Sequence, residues 1–232
     1  SSQNYLGADI DDIINKITAN TKLIFIANPG NPTGTYLKLE IIDKFLNSIP
    51  KRITVVIDEA YYEYLEPSTY KSAVTLLKKY SNLYVTRSLS KIYGLASLRI
   101  GYGISSKENI EKIKFFKQPF NTNMFAQKAA LLALKDKQFI KMSKENNSFS
   151  MRQFTETFKK LSITYLGTNC NFLTFKAGTS SKKLFTYLLK QGIIVRPLAN
   201  YKLPDYLRVS IGKVKDNNKF IKHLKIFYSE KV

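Results

Sequence analysis

The chain has 232 residues, of which 44% are hydrophobic and 13% aromatic, so it can build a core and is not a wholly disordered protein. No apolar run approaches the ~20 residues of a membrane span, and the polar, acidic start lacks the pattern of a secretory signal. A single cysteine, Cys170, excludes an internal disulfide framework, and together these features predict a soluble, cytoplasmic protein.

The net charge of +20, from 37 basic and 17 acidic residues, suits a nucleic-acid partner. The lysines are scattered, however, and their longest runs are pairs such as Lys78-Lys79, without an aromatic-interleaved basic strip, so we predict no specific nucleic-acid partner. The arginines are more informative, because arginine binds carboxylate and phosphate groups in a planar, bidentate way that lysine does not reproduce. The candidate anion-binding residues are therefore Arg52, Arg87, Arg99, Arg152, Arg196 and Arg208.

Strands alternate with helices along the first part of the chain. A short apolar run at 22–27 ends in the turn-rich sequence NPGNPTG, which is typical of a buried strand feeding a loop. The pattern continues with a helix from Lys38 to Ser48, a strand at 53–58, a helix at 70–80, and strands at 83–88 and 98–104. Such alternation indicates an α/β fold with a parallel sheet.

The second part of the chain has a different pattern. From about residue 107 to residue 160 it is helical, and it ends in a long polar helix that we predict to connect two domains. Shorter elements follow: strands at 171–176, 193–197 and 206–211, a helix at 181–191 and a last helix from Asp216. This mixed α+β pattern suits a second, smaller domain, so we predict domains at 1–140 and 141–232.

Chemically suggestive segments follow the predicted strands, at the edge where open α/β sheets bind ligands. The turn NPGNPTG begins at Asn28, and Asp58-Glu59 comes directly after an apolar strand. An apolar strand ending in Asp-Glu also occurs in ATPases, and the positive charge would suit a nucleic-acid-dependent one. That alternative is disfavoured because the chain lacks the phosphate-binding pattern G-x-x-x-x-G-K-[ST].

The segment SLSKIYGLASLRIGY combines a lysine with the surroundings that an amine nucleophile needs. Ser88 and Ser90 flank Lys91, and Arg99 follows eight residues later. A lysine that forms a Schiff base needs space around Nζ, and hydroxyls with an arginine suit a phosphate group. A lone S-x-S-K would be a surface lysine, but the arginine and the two earlier segments favour a cofactor site.

In these segments the sequence resembles the fold-type I aminotransferases, which use pyridoxal 5'-phosphate (PLP), and the resemblance runs from about Gly7 to the C-terminus. It implies that Lys91 holds the cofactor as a Schiff base and then moves a proton on the substrate. It also implies that Asp58 pairs with the pyridine nitrogen and keeps it protonated, so that the ring draws electrons from the substrate. The other implied cofactor contacts are Asn31 and Tyr61 at the phenolic oxygen, and Ser88, Ser90 and Arg99 at the phosphate.

A further segment, residues 195–212, is similar to the end of histidinol-phosphate aminotransferases. There the arginine that matches Arg208 binds the donor carboxylate or the substrate phosphate, and the one that matches Arg196 assists at the phosphate. The sequence departs from the family pattern at Ser88, where threonine is usual, and at Ile92, where a small residue is usual. Neither change removes a reacting group. A cis peptide at Asn31–Pro32 is also expected, because related folds aim this asparagine with a cis proline.

The resemblance implies transamination of histidinol phosphate with 2-oxoglutarate by a homodimer, with no metal ion. It implies no role for Glu59, which we expect at the surface or in a supporting position. An aromatic amino-acid aminotransferase, a threonine-phosphate decarboxylase and a non-catalytic remnant share the cofactor segments and remain open. The implied fold is α/β: an incomplete PLP-dependent transferase-like large domain of the aspartate aminotransferase type, plus a small α+β C-terminal domain.

The family carries a long segment before the position that matches Gly7, with a glycine-containing turn for the cofactor phosphate and an aromatic that stacks on the pyridine ring. Residues 1–21 show neither, so we expect the chain to be part of a longer enzyme. On that expectation the chain alone is poorly soluble, binds PLP weakly and does not transaminate. Co-expression with a chain that supplies the upstream portion would then restore activity.

Overall fold

The computed structural model describes residues 6–68, 70–167 and 169–229. Contacts between residues divide the chain into two compact units. Unit 1 takes the chain up to Gly30 and then Tyr36–Ile140, and unit 2 takes Asn31–Thr35 and the chain from Lys141 onward. The turn after the first strand is therefore shared, because its last residues belong to unit 2.

The sheet of unit 1 has the strand order β1 (Leu23–Ala27), β2 (Thr54–Asp58), β3 (Leu83–Ser88) and β4 (Gly101–Ile104). β1, β2 and β3 run parallel, so their carboxyl ends meet at one edge. β4 pairs antiparallel with β3, because the chain returns through a compact turn segment rather than a helical crossover. The predicted α/β class with a mainly parallel sheet is confirmed.

The helices of unit 1 are α1 (Ile10–Asn15), α2 (Leu39–Ser48), α3 (Lys107–Phe116) and α4 (Met124–Lys135), and α5 (Lys137–Lys160) begins in unit 1 and continues into unit 2. Helix α1 was not predicted from the sequence. Its N-cap explains why so short a helix forms: the Asp9 carboxylate accepts a hydrogen bond from the amide of Asp12 at 3.0 Å.

The core of unit 1 lies between its sheet and α2. Ile42, Phe45 and Leu46 recur at helical spacing on one face of α2 and are at most 3% exposed. They belong to one cluster with strand residues such as Val55 and Val85, both 0% exposed. Each such side chain stabilises the fold by about 1.5–3 kcal/mol through burial, which holds the strand ends in place.

Unit 2 contains β5 (Phe172–Lys176), β6 (Arg196–Pro197) and β7 (Tyr206–Ser210), which pair antiparallel in the spatial order β5-β7-β6. Helices α6 (Ser181–Lys190) and α7 (Val214–Ser229) join α5 in one core with this sheet. This is the mixed α+β arrangement that the sequence predicts.

An aromatic cluster forms the centre of the unit 2 core. The ring centres of Phe158 and Phe175 are 4.8 Å apart, and those of Phe154 and Phe220 are 5.1 Å apart. All of these side chains are at most 2% exposed. The cluster joins α5, β5 and α7, and it therefore fixes the sheet that carries Arg208.

The predicted helix at 70–80 is wrong. The chain forms a short 3-10 helix, Ala73–Leu76, in its place. The Ser72 hydroxyl caps this turn by accepting from the amide of Val74, and it also donates to the buried Glu59 carboxylate directly after β2. Side-chain hydrogen bonds of this kind compete with a regular helix, which explains the shorter element.

Two predicted strands are shorter than expected. The strand at 98–104 begins only at Gly101, because Arg99 has left-handed backbone angles (φ 52°, ψ 49°). The strand at 193–197 is reduced to Arg196–Pro197, because the amide of Ile193 donates to the Leu188 carbonyl at 2.9 Å in the turn after α6. In the described part of the chain, no helix combines the length and apolar character that crossing a membrane would require.

Candidate functional site

The Asp58 carboxylate lies at the end of β2, on the edge where the parallel strands terminate. Its Oδ1 accepts hydrogen bonds from the Thr86 hydroxyl and the Ala60 amide, both at 3.1 Å. The amide of Asn28 donates to the backbone carbonyl of Asp58 at 2.8 Å. Within the described residues Oδ2 accepts no hydrogen bond. One oxygen is thus fixed by β3, and the other is left for a cation.

Lys91 lies in the turn segment between β3 and β4. The amide of Gly94 donates to the Lys91 carbonyl at 3.0 Å, and the amide of Leu95 donates to the Leu89 carbonyl at 3.0 Å. The amide of Leu89 donates to Ile100 at 3.1 Å, which closes the base of the segment. These bonds hold the lysine in a compact loop beside the carboxyl end of β3.

The Lys91 side chain is exposed, and its Nζ lies 5.3 Å from the ring centre of Tyr61. No carboxylate lies within ion-pairing distance of Nζ among the residues that the structure describes. Tyr61 is 6% exposed and forms a fixed apolar wall beside the amine. Ile92, bulky where the family has a small residue, is 2% exposed, so its bulk is taken up inside the packed interior.

Among the candidate phosphate ligands, the structure connects the two serines. The Ser88 hydroxyl accepts a hydrogen bond from the amide of Ser90 at 3.1 Å, which places both on one turn. Arg99 is exposed, and its Nη1 donates to the carbonyl of Ala96 at 2.8 Å. No hydrogen bond joins Arg99 to either serine in the described part of the chain. The turn therefore offers hydroxyls, and Arg99 keeps guanidinium donors beyond the one that the Ala96 carbonyl accepts.

Unit 2 brings Arg196, Arg208 and Asn31 together. Arg196 and Arg208 are directly opposite each other on β6 and β7, an arrangement that is destabilising for like charges without an anion. Arg208 donates through Nη1 to the side-chain oxygen of Asn31, and its guanidinium carbon lies 4.9 Å from the ring centre of Phe172. The Nε of Arg208 is buried without a partner among the described residues. These features define a candidate anion site.

Backbone contacts hold the segment 31–35 within unit 2. The Thr174 hydroxyl donates to the carbonyl of Pro32, and the Asn169 amide group donates to the carbonyl of Gly34 at 3.0 Å. The Asn31–Pro32 peptide is cis, as predicted from the sequence, and Asn28–Pro29 is cis as well. The segment carries Asn31 and is thus anchored beside β5 and β7.

Glu59 was expected at the surface or in a supporting position, and the surface alternative is wrong. It is 0% exposed and accepts hydrogen bonds from the Tyr70 hydroxyl at 3.0 Å, the Ser72 hydroxyl at 2.7 Å and the Ala73 amide at 2.8 Å. Arg87 completes the set through a salt bridge of 2.7 Å. The sequence analysis did not predict this pair, because only the register of β2 and β3 brings Arg87 beside Glu59.

The buried groups around this pair have shifted pKa values. Burial raises the pKa of the Glu63 carboxyl above its ordinary value, despite the opposing effect of Arg87. Burial also raises the pKa of the Tyr70 hydroxyl, and the Glu59 carboxylate beside it acts in the same direction. Burial, and then the charge of the Glu63 carboxylate, raise the pKa of the Tyr93 hydroxyl. The tyrosines therefore remain protonated donors at neutral pH.

The remaining flagged arginines do not gather at either site. Arg52 donates to the carbonyls of Thr21 and Thr18 at 2.7 and 3.0 Å, so the protein itself satisfies it. Arg152 is exposed on α5. A cleft of about 570 Å³ lies at the opposite end of the unit 1 sheet, next to the Lys79–Asp43 ion pair. The candidate site is the strand edge and not this cleft, because Lys91, Asp58 and Tyr61 all lie at that edge.

The chain belongs to the aminotransferase class I and II family, whose model matches residues 1–224. Among curated proteins, it is similar to histidinol-phosphate aminotransferase 1 of Idiomarina loihiensis, with 43% identity over 219 residues, 94% of this chain and 60% of that protein. Histidinol-phosphate aminotransferase 2 of Legionella pneumophila is 44% identical over 220 residues, 95% and 60% of the two chains. The chain therefore spans about 60% of the length of the curated relatives it matches.

Solved structures show the same fold. The histidinol-phosphate aminotransferase from Clostridium acetobutylicum superposes with a TM-score of 0.89 at 32% identity, over 98% of this chain and 70% of that one. The enzyme of that name from Sinorhizobium meliloti, in complex with pyridoxal-5'-phosphate, gives 0.88 at 23% identity, over 97% and 63% of the two chains. The fold is that of the fold-type I aminotransferases.

Proposed function

We propose that this chain works in a PLP-dependent aminotransferase that exchanges the amino group of histidinol phosphate with 2-oxoglutarate. The observation that carries the proposal is the position of Lys91, whose Nζ lies 5.3 Å from the ring of Tyr61 on the sheet edge where Asp58 ends β2. Relatives at 43% and 44% identity that bear the name histidinol-phosphate aminotransferase support the choice of substrate.

The residues of unit 1 fit PLP. The Oδ2 of Asp58, which accepts no hydrogen bond within the described residues, suits a protonated ring nitrogen. The Ser88 and Ser90 hydroxyls with Arg99 suit a phosphate. The Lys91 amine, which has no carboxylate partner among the described residues, suits the cofactor carbonyl. When bound, the cofactor supplies a ring that withdraws electrons from the substrate carbon.

The chain's own groups have distinct proposed roles. Lys91 holds the cofactor and then carries a proton to and from the substrate carbon, for which its exposed side chain has the freedom. Asp58 keeps the ring nitrogen protonated, and the Thr86 and Ala60 hydrogen bonds fix the direction of its carboxylate. Tyr61 limits the positions that the amine can take and donates its hydroxyl to the phenolic oxygen.

Unit 2 supplies the proposed substrate contacts. Arg196 and Arg208 bind the phosphate and the carboxylate of the two substrates, since an anion relieves the repulsion between them and meets the buried Nε of Arg208. Arg208 donates a hydrogen bond to the side-chain oxygen of Asn31. This bond orients the Asn31 amide group and leaves its nitrogen as a donor. Asn31 donates through that nitrogen to the phenolic oxygen of the cofactor.

The enzyme is proposed to be a homodimer of the cytoplasm, with a place in histidine biosynthesis. Exposed large apolar side chains support the proposal of a second chain: Phe115, Phe116 and Phe120 are 86%, 81% and 99% exposed. An exposed apolar patch of this kind marks an interaction surface.

The test is half-reaction spectroscopy on the chain co-expressed with the upstream portion of the enzyme, with excess PLP and a panel of amino donors: histidinol phosphate, phenylalanine and threonine phosphate. We expect histidinol phosphate to convert the visible band of the bound cofactor fastest. The control is Arg208→Lys, which keeps the charge and loses the planar fork. Faster conversion by phenylalanine, or release of carbon dioxide from threonine phosphate, would overturn the substrate assignment.

A further inference from the structure

A buried polar network lies directly behind the proposed cofactor edge of unit 1. Its centre is Arg87 on β3, which donates to Glu59 Oε2 through Nε at 3.0 Å and through Nη2 at 2.7 Å. The guanidinium carbon lies 3.6 Å from the ring centre of Tyr62, and Nη1 lies 3.7 Å from Glu63 Oε1. Arg87 is 12% exposed, so water replaces few of these contacts.

One arm of the network leads to Asp58. Glu59 follows Asp58 in the chain, and its amide donates to the Thr86 carbonyl at 2.8 Å. The hydroxyl of the same Thr86 donates to the Asp58 carboxylate. The salt bridge joins Glu59, which follows Asp58, to Arg87, which follows Thr86. It therefore fixes the spacing of β2 and β3 where the Asp58 carboxylate is held.

The other arm leads to Lys91. Glu63 Oε1 lies 3.4 Å from the Tyr93 hydroxyl, and Tyr93 is two residues beyond Lys91 in the same turn segment. Glu63 is 11% exposed, and its Oε2 is buried without a partner among the described residues. Arg87 faces both Glu59 and Glu63, at 2.7 and 3.7 Å, and thereby links the turn of Lys91 to the strand of Asp58.

We propose that Arg87 is a positioning residue that fixes Asp58 and Lys91 relative to each other through Glu59 on one side and Glu63 with Tyr93 on the other. The inference rests on the proposed function, because it gives these two residues their roles. A buried ion pair contributes little net stability, since the loss of hydration offsets the attraction. The value of Arg87 therefore lies in geometry, which its two-donor contact with one carboxylate oxygen and its stacking on Tyr62 define.

The experiment compares Arg87→Met and Arg87→Lys with the parent chain and with Val85→Ala, each co-expressed with a chain that supplies the upstream portion of the enzyme. Val85 is 0% exposed on the same strand, so its truncation destabilises unit 1 without touching the polar network. The double variant Glu59→Gln/Arg87→Met avoids leaving a buried carboxylate unpaired, in case Arg87→Met does not fold. Two readouts are taken: amide hydrogen exchange without cofactor, and borohydride trapping of PLP on Lys91 followed by peptide mapping.

We expect the amides of Glu59, Leu89 and Leu95 to exchange at least tenfold faster in the Arg87 variants, while amides in the middle of β2 change no more than in Val85→Ala. Trapping at Lys91 should fall at least tenfold in Arg87→Met, recover in part in Arg87→Lys, and stay near the parent level in Val85→Ala. That pattern separates positioning from a loss of stability.

Two results distinguish a failure of the proposed function from a failure of the positioning role of Arg87. If the parent chain, co-expressed with the upstream portion, traps no PLP at Lys91, the proposed function fails, and the hydrogen-exchange comparison decides the positioning role by itself. If the parent traps PLP and the Arg87 variants trap it equally well, with edge amides exchanging as in Val85→Ala, the positioning role of Arg87 is overturned.

Discussion

Replacing Gly34 by alanine should detach the segment that carries Asn31 from its place in unit 2. Gly34 has a φ of +70°, and a Cβ built on it would lie 2.4 Å from the carbonyl oxygen of Gly167. Ordinary contacts begin near 3.4 Å, and the obstructing atom belongs to the backbone, so it cannot move aside as a flexible side chain would. The substitution therefore combines backbone strain with a steric overlap.

The energetic costs of the backbone strain and of the steric overlap can be estimated separately. A left-handed backbone costs a non-glycine residue about 1–2 kcal/mol, and overpacking of a close contact costs about 1–3 kcal/mol. For Gly34→Ala the sum is about 2–5 kcal/mol, a large part of the ~5–15 kcal/mol by which domains are stable. Gly178→Ala is the matched control, since Gly178 has a φ of +64° and no atom within 4 Å of the added Cβ.

Urea unfolding followed by far-ultraviolet circular dichroism measures both effects. Gly167→Ala provides the remaining comparison, because its Cβ would lie 2.5 Å from the Gly34 oxygen while its own φ is not left-handed. We expect Gly34→Ala to lose the most stability of the set. A loss no greater than that of Gly178→Ala would refute the close backbone contact between the segment 31–35 and Gly167.

Further outcomes are expected at the proposed site. Asp58→Asn should retain bound PLP and slow transamination by several orders of magnitude, because the ring nitrogen loses its counter-ion; near-normal turnover in a stopped-flow assay would contradict this role. Arg208→Lys should raise the KM for histidinol phosphate about 10- to 100-fold through the loss of a charge-assisted, planar contact, with PLP trapping unchanged; weakened trapping with a normal KM would reverse the assignment. Burial raises the pKa of the Glu63 carboxyl and so favours its protonated form in the folded state. The contribution of Glu63 to stability is therefore full at pH values below the ordinary carboxyl pKa of about 4.5, and it is lost as the pH rises through the pKa of the folded state. The groups that face Glu63 are Arg87, Glu59 and Tyr93. Urea midpoints of the parent and of Glu63→Gln, measured between about pH 4 and pH 8, should show that the variant lacks this decline in stability. Identical pH profiles would show that Glu63 does not cause the decline.

The strand ends were predictable because apolar runs are strong signals. The runs before Asp58 and before Ser88 fix where β2 and β3 stop, and parallel pairing then brings their carboxyl ends to one edge. The sequence therefore indicated that Asp58 and Lys91 lie at the same edge of the sheet. The position of Arg208 opposite Arg196 could not be derived in this way, because a strand of two residues carries no periodic signal.

The buried network was missed for a physical reason as well. Tyr70 and Ser72 reach Glu59 from a stretch that local propensity assigned to a helix, and hydrogen bonds across 11 and 13 residues leave no mark on local patterns. The pairing of Arg87 with Glu59, 28 residues apart, follows only from the register of β2 and β3. Long-range polar contacts of this type require the fold before they can be assigned.

The most direct test of the central claim, that Lys91 is the cofactor lysine, is borohydride reduction of the chain co-expressed with the upstream portion of the enzyme, in excess PLP, followed by peptide mapping. Lys91→Ala serves as the control, and its visible absorbance with PLP should be lost. We expect the pyridoxyl group on the peptide that contains Lys91, and no specific label in the variant. A pyridoxyl group on another lysine, or labelling that is unchanged in Lys91→Ala, would contradict the assignment.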